Sequence, residues 1–131
     1  MVPRVMVLVD YMTPLVHVLE PDAKLAEAKA LMEQHGVRHL PVIEGERVLG
    51  MVTMSDVFVL EHTLGTDDEA TMVKEVMTKD LYQAEGNTPL GEVARAMVER
   101  RIGSAIVLHD GKPAGVFTTT DALRALGDAL A

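Results

Sequence analysis

The chain has 131 residues, no cysteine and a formal net charge of −8, and 48% of its residues are apolar. This length and apolar content exclude intrinsic disorder, and the lack of cysteine excludes disulfides, thiolate catalysis and cysteine-bound zinc. The acidic charge argues against nucleic acid as a partner, and no apolar run is long enough for a membrane span or a signal peptide, so we expect a cytoplasmic protein with no membrane partner.

The first half of the chain follows the pattern β-α-β-β-α. Val16–Leu19 is a short strand-like segment, and apolar residues at helical spacing predict a helix over residues 24–35, which Gly36 ends. Two apolar strands and a closing helix complete the pattern. The predicted bounds of these three elements are Leu40–Ile43, Val48–Thr53 and Asp56 to about Leu64.

A polar, acidic connector at residues 65–71 separates the two halves, and its composition predicts mobility. The second half repeats the order of elements, beginning with a short strand at Leu81–Ala84. Thr88-Pro89 then predicts a helix start with a hydroxyl cap, and Asp110-Gly111 predicts a hairpin turn. The remaining predicted elements are the strands Ala105–Leu108 and Ala114–Thr118 and a closing helix from Asp121 to about Leu130.

An internal duplication underlies this repeated pattern. The sequence GMVTMSD at Gly50–Asp56 returns as GVFTTTD at Gly115–Asp121, and the offset is 115 − 50 = 65 residues. Without any gap, the same offset pairs Met12-Thr13 with Met77-Thr78. One supersecondary unit is therefore built twice. The predicted domains are residues 1–64 and 72–131, joined by the connector at 65–71.

A tandem β-α-β-β-α unit with Met-Thr before it and Gly-x-x-Thr-x-x-Asp near its end resembles the CBS-domain pair, or Bateman module. The resemblance runs from about Asp10 to Ala125 and includes Arg38–Val42. It implies an α/β (α+β) fold of two repeats related by a pseudo-twofold axis, with two clefts for AMP, ADP, ATP or S-adenosylmethionine. It also implies a stand-alone, homodimeric regulatory module that is not an enzyme, needs no cofactor besides its ligand and signals to a partner.

The resemblance also assigns site residues. Asp56 and Asp121 would each accept hydrogen bonds from a ribose diol, because an ionised carboxylate accepts two such donors at roughly 1.5–3 kcal/mol each. Phosphate would lie over the N–H groups at the helix start, where hydroxyl groups are also available. The predicted phosphate ligands are Thr53, Ser55, Thr118 and Thr120, and the predicted adenine neighbours are Val16, His17, Val18 and Tyr82.

The two predicted clefts differ in basic residues. Arg38 and His39 match positions where similar modules place phosphate-binding cations, and the offset carries them onto Gly103 and Ser104. By the resemblance, such residues face the cleft whose ribose-binding acid belongs to the other repeat. Our hypothesis is that Arg38 and His39 serve the Asp121 cleft and make it the better phosphate site, while the Asp56 cleft binds weakly, takes a ligand with less phosphate or stays empty.

Several alternatives remain open at this point. Thr-x-x-Asp is nearly a capping box, which would stabilise a helix without any ligand, so the protein could be a structural module with unoccupied clefts. An enzyme is the weaker alternative, because no nucleophile motif is present. His35 and His39 have a metal-like spacing, but Gly36 between them argues against one helical face and hence against a metal site. Four apolar residues of the closing helices suit either a dimer face or the core. These are Val57, Phe58, Leu123 and Leu126.

Overall fold

The computed structural model describes residues 5–131. The chain forms two compact units, one from Val16–Leu81 and one from Tyr82–Ala131 together with the described residues up to Leu15. None of the helices in residues 5–131 combines the length and apolar character needed to cross a bilayer. In chain order, the elements are a 3-10 turn Leu8–Asp10, β1 Thr13–Pro14, α1 Leu25–His35, β2 His39–Glu44, β3 Arg47–Thr53, α2 Met54–His62, α3 Val73–Val76, β4 Gln83–Glu85, α4 Leu90–Arg100, β5 Ser104–His109, β6 Lys112–Thr118 and α5 Thr119–Leu130.

The unit Val16–Leu81 packs its helices on a two-stranded antiparallel sheet of β2 and β3. Leu25, Ala28 and Met32 form the buried face of α1, as the helical spacing predicts. The helix ends at Gly36, which adopts the left-handed conformation with φ of 65° and so confirms the predicted stop. Val57 of α2 lies in the same core, so of the two roles left open for it the core is correct.

The other unit contains a four-stranded sheet in the order β1-β6-β5-β4. β4 pairs with β5 in parallel, and the other two pairings are antiparallel. Leu90, Val93 and Met97 are the buried face of α4, which confirms its predicted stripe. Asp110 and Gly111 both have positive φ, of 50° and 80°, as a tight hairpin turn between β5 and β6 requires.

Each Met-Thr segment lies in the compact unit that contains the other sequence repeat. Thr13, from the start of the chain, pairs with Val116 in the unit that contains the second repeat. Thr78 forms the corresponding bridge with Met51 in the unit that contains the first repeat. Each compact unit is therefore completed by a Met-Thr segment from the opposite side of the repeat boundary.

Three local predictions are wrong. Val16–Leu19 is not a strand, because only Leu19 finds a partner, a single bridge to Val42. Thr88 does not cap α4, whose N-cap residue is Pro89 without a side-chain cap hydrogen bond. The closing helices begin earlier than predicted, because the threonine of each motif is the N-cap residue and the aspartate is the third helical residue.

The acidic connector is hydrogen-bonded to the start of α1. The N–H of Leu25 donates to Thr71 O at 2.8 Å, and the N–H of Ala26 donates to Asp68 O at 3.0 Å. These carbonyls satisfy two of the N–H groups that every helix leaves unpaired at its start. Residues 65–71 thus lie within the unit Val16–Leu81, and the domain boundaries of the sequence analysis remain a prediction.

Candidate functional site

Each Thr-x-x-Asp motif forms the start of a closing helix. Thr53 precedes α2 in extended conformation, and its Oγ1 accepts the N–H of Asp56 at 3.1 Å. Thr118 precedes α5 in the same conformation, and its Oγ1 accepts the N–H of Asp121 at 3.4 Å. The capping role considered as an alternative is therefore present in both repeats, and it places each carboxylate in the first turn of its helix.

A threonine hydroxyl from the Met-Thr segment reaches each carboxylate. Thr13 Oγ1 lies 3.3 Å from both Oδ1 and Oδ2 of Asp121, and Thr78 Oγ1 lies 3.5 Å from Oδ2 of Asp56. Neither threonine is among the predicted site residues. The signal for them was present in the sequence, because the Met-Thr pair repeats at the same offset as the Gly-x-x-Thr-x-x-Asp motif.

The Asp121 carboxylate is almost fully enclosed, with 1% of the residue exposed. Its Oδ2 accepts the backbone N–H of Thr118 at 3.0 Å and the Thr118 hydroxyl at 3.2 Å, which completes a reciprocal capping box. Its Oδ1 accepts Nη1 of Arg124 at 3.3 Å. With the Thr13 hydroxyl, four donors meet one carboxylate. Arg124 is the third residue, after Thr13 and Thr78, that contacts a carboxylate without being among the predicted site residues.

The Asp56 carboxylate is partly exposed and accepts fewer hydrogen bonds than the Asp121 carboxylate. Within residues 5–131, its donor is the Thr78 hydroxyl at 3.5 Å, which is longer than the usual O–H···O hydrogen bond. The N–H of Thr53 does not donate to the Asp56 carboxylate, so α2 has only half of the capping box found at α5. The two motifs have the same sequence pattern but different free acceptor capacity.

The predicted basic residues lie beside the start of α2. The N–H of Met54 donates to Arg38 O at 2.9 Å, and His39 pairs with Thr53 across the β2–β3 ladder. Directly paired residues share one face of a sheet. Arg38 and His39 thus belong to the same unit as Asp56, whereas Asp121 belongs to the other unit. The hypothesis that they serve Asp121 remains a prediction.

The predicted adenine neighbours lie in separate surroundings. Val16 and Val18 are exposed, and the His17 ring stacks on the His35 ring with centroids 3.9 Å apart. The Tyr82 ring lies under the guanidinium of Arg100, 4.9 Å from its carbon. Their contact with adenine remains a prediction. The same holds for the phosphate contacts of two exposed helix-start residues, Ser55 and Thr120.

The described part of the chain holds no group of three or more histidine, aspartate or glutamate side chains placed to bind a metal ion.

The sequence model of the CBS domain matches residues 8–61 and 73–128. The chain belongs to the CBS-domain family. This match confirms the tandem CBS pair, and the fold shared with the CBS pair of MJ0100 confirms the mixed α/β fold class.

Several known proteins are similar to this CBS pair. The CBS domain-containing protein YhcV of Bacillus subtilis is 30% identical over 112 residues, which cover 86% of this chain and 79% of YhcV. The crystal structure of an uncharacterized conserved protein from Pyrococcus horikoshii is 35% identical, with a TM-score of 0.79 and coverage of 91% and 90% of the two chains. Other relatives are longer. The chain spans 42% of a Thermofilum pendens protein and 21% of an inosine-5′-monophosphate dehydrogenase from Korarchaeum cryptofilum.

One similar structure contains a nucleotide. CBSX2 in complex with AMP is 27% identical to this chain, with a TM-score of 0.80 and coverage of 95% and 98%. The CBS pair of MJ0100, in complex with 5′-methylthioadenosine and S-adenosylmethionine, shares the fold with a TM-score of 0.83 at 20% identity, covering 96% and 99%. At 20% identity, the likeness to MJ0100 shows the fold alone.

Proposed function

We propose that this CBS pair binds an adenosine derivative and reports its occupancy to a partner protein. The observation that carries the proposal is the carboxylate in the first turn of each closing helix, contacted by a Met-Thr hydroxyl and preceded by a threonine cap. A carboxylate suits the two donors of a ribose diol. The adjoining helix N-terminus suits a phosphate.

Each group has a distinct role in this proposal. Asp56 and Asp121 accept the ribose hydroxyls. Thr53 is suited to phosphate because its Oγ1 accepts the Asp56 N–H while its own proton remains available to donate. The other phosphate contacts are Ser55, Thr118 and Thr120, and the adenine contacts are Val16, His17, Val18 and Tyr82. The AMP complex of CBSX2 supports this ligand class, which comprises AMP, ADP, ATP and S-adenosylmethionine.

A thermal-shift panel of these four ligands tests the proposal. At a ligand concentration a hundred times its dissociation constant, binding to the folded state alone stabilises by about 2.7 kcal/mol. The Asp56→Asn/Asp121→Asn double variant should lose this stabilisation. If no ligand in the panel shifts the wild type, the protein is a structural or interaction module with empty clefts. Release of phosphate from ATP would instead indicate an enzyme.

2′-Deoxy-AMP is the sharper probe of the diol contact. It lacks one of the two ribose donors but keeps adenine and phosphate, so its affinity should be on the order of tenfold below that of AMP. Equal affinities for the two nucleotides would remove the carboxylate–ribose contact from the proposal and leave a nucleotide site of another geometry.

A homodimer is part of the proposal, because apolar side chains are exposed on both closing helices. Phe58 is 62% exposed, and Leu123 and Leu126 are 67% and 53% exposed. Covering such residues in a second copy would remove apolar surface from water. A ligand changes this association only where it binds the two states differently. Light scattering of the wild type and of a Leu123→Lys/Leu126→Lys variant, with and without AMP, tests both points.

A further inference from the structure

We infer that Arg124 acts as an internal competitor for ligand at Asp121, so that the two carboxylate sites are unequal and the Asp56 site fills first. This inference rests on the proposed function and specifies how its two sites differ. It reverses the ranking suggested by the sequence, which placed the better phosphate site at Asp121.

The acceptor positions of the Asp121 carboxylate are already occupied. An ionised carboxylate offers about four lone-pair positions. In Asp121, these face four donors at 3.0–3.3 Å, from the Thr118 backbone, the Thr118 hydroxyl, the Thr13 hydroxyl and Arg124 Nη1. A ribose diol brings two more donors, so it binds this carboxylate only in competition with the donors already there.

The four donors at Asp121 differ in how easily they leave the carboxylate. The Thr118 N–H is fixed by the chain at the start of α5. The Thr118 and Thr13 hydroxyls lie on residues held by the helix start and by the pairing of β1 with β6, so they can turn their protons away but cannot leave. The Arg124 side chain, in contrast, is 58% exposed and returns to water by a change of rotamer. Arg124 is therefore the donor with which a ligand competes at Asp121.

The first repeat has no arginine at the position that corresponds to Arg124. The offset of 65 residues carries Arg124 onto Val59, since 124 − 65 = 59, and valine has no donor to offer the Asp56 carboxylate. Val59 is 51% exposed, so this position lies at the surface in both units. The residues that contact the two carboxylates otherwise correspond, with Thr53 at Thr118 and Thr78 at Thr13. Among the side chains placed at the two carboxylates, the exchange of valine for arginine is the difference in residue type.

An alternative role for Arg124 has the opposite consequence. A guanidinium near a helix start could itself bind the ligand phosphate. Removing it would then weaken binding at Asp121. A competitor gives the reverse sign, because its removal frees acceptor positions for the diol. The sign of the change in affinity therefore separates the two roles.

Calorimetric titration with AMP, ATP and S-adenosylmethionine tests the inference in the full chain. Asp121→Asn leaves the Asp56 site, and Asp56→Asn leaves the Asp121 site. We expect the tightest site of the wild type to be present in the Asp121→Asn variant and absent from the Asp56→Asn variant. In the Asp56→Asn background, Arg124→Val should tighten binding roughly three- to tenfold, as expected for loss of one partly exposed ion pair. In the Asp121→Asn background, Val59→Arg should weaken binding by a similar factor.

Arg95→Val is the matched control. Arg95 lies exposed on α4 of the same unit, and its loss removes the same charge from an acidic protein. It should leave affinity unchanged or weaken it slightly for an anionic ligand. Circular dichroism and melting temperatures of all variants show whether any loss of binding reflects unfolding.

Each outcome bears on the inference. Tighter binding on Arg124→Val together with weaker binding on Val59→Arg supports it. Two equal sites in the wild type, or weaker binding on Arg124→Val than on Arg95→Val, overturns the competitor role and leaves the proposed function standing. No binding of any of the three ligands to the wild type overturns both.

Discussion

The backbone carbonyl of Thr13 lies where a side chain at Gly115 would begin, because a Cβ at Gly115 would stand 2.7 Å from that oxygen. The other unit repeats this relationship, with 2.9 Å between a Cβ at Gly50 and the oxygen of Thr78. The close approach lets each Met-Thr segment lie against the strand that leads to the carboxylate. The glycine, the Met-Thr pair and the aspartate are thus parts of one arrangement.

Gly115→Ala should lower the free energy of unfolding by about 1–3 kcal/mol, because the added methyl group meets a fixed carbonyl as well as the Met12 side chain. Gly127→Ala is the matched control. A Cβ at Gly127, on α5, meets nothing within 4 Å, and alanine should raise helix stability by about 0.5–1 kcal/mol. Urea unfolding measures both changes. Similar changes of the same sign in the two variants would contradict the close-approach argument.

The sequence predicts the parts of this arrangement better than their contacts. Helical spacing predicts α1 and α4 because their buried faces are set by residues three and four apart. The hydrogen bond from Thr13 to Asp121 spans 108 residues, and it depends on strand pairing that periodicity does not specify. Val16–Leu19 fails for the same reason, since apolar content predicts a strand but only Leu19 finds a partner. Arg124 has no motif that marks it.

The C-cap of α4 should be a site of backbone strain. Arg101 has a φ of 56° there, in the left-handed region, where the first repeat has Gly36 with a φ of 65°. A side chain in this region costs roughly 1–2 kcal/mol. Glycine avoids this cost, but it loses more conformational entropy on folding, which offsets part of the gain. Arg101→Gly should therefore raise the unfolding free energy by about 0.5–1 kcal/mol. Gly36→Arg should lower it, and a stabilising Gly36→Arg would contradict the argument.

The two aspartates should differ in their contribution to stability without ligand. Asp121→Ala removes a complete capping box and leaves the Thr118 N–H without its acceptor, so it should cost about 2–3 kcal/mol. Asp56→Ala removes one long hydrogen bond from a partly exposed group and should cost less than about 1 kcal/mol. Urea unfolding without nucleotide measures the two values. Equal losses would show that the burial and the hydrogen bonds of Asp121 add nothing to the free energy of unfolding.

Asp68 of the connector and Glu61 of α2 form a carboxylate pair that predicts a pH-dependent stability. The buried Oδ1 of Asp68 has no hydrogen-bond partner within residues 5–131, and Glu61 nearby forms an ion pair with Lys29 at 2.9 Å. The pKa of Asp68 lies above its ordinary value of 3.8, mainly because of burial and secondly because of the neighbouring Glu61. The hydrogen bond from Lys29 lowers the pKa of Glu61.

The raised pKa of Asp68 fixes the sign of the effect. The folded state binds this proton more tightly than the unfolded state, so the stabilisation is full below pH 3.8 and is lost as the pH rises through the folded value. At pH 7, the charged Asp68 therefore weakens the fold. Asp68→Asn should raise the unfolding free energy at pH 7, because the amide is neutral and can donate to Glu61. The gain over wild type should shrink as the pH falls towards 3.8.

Urea unfolding between pH 3.5 and pH 7 measures this difference, and Asp67→Asn is its control. Asp67 is exposed and accepts the N–H of Glu69 at 3.0 Å, which an asparagine oxygen can also do. This substitution removes the same charge from the preceding residue, whose charge raises the pKa of Asp68 less than burial and Glu61 do. Asp67→Asn should give a smaller gain than Asp68→Asn at pH 7. If the two gains are equal, general charge repulsion in an acidic protein accounts for them, and the Glu61–Asp68 contact does not.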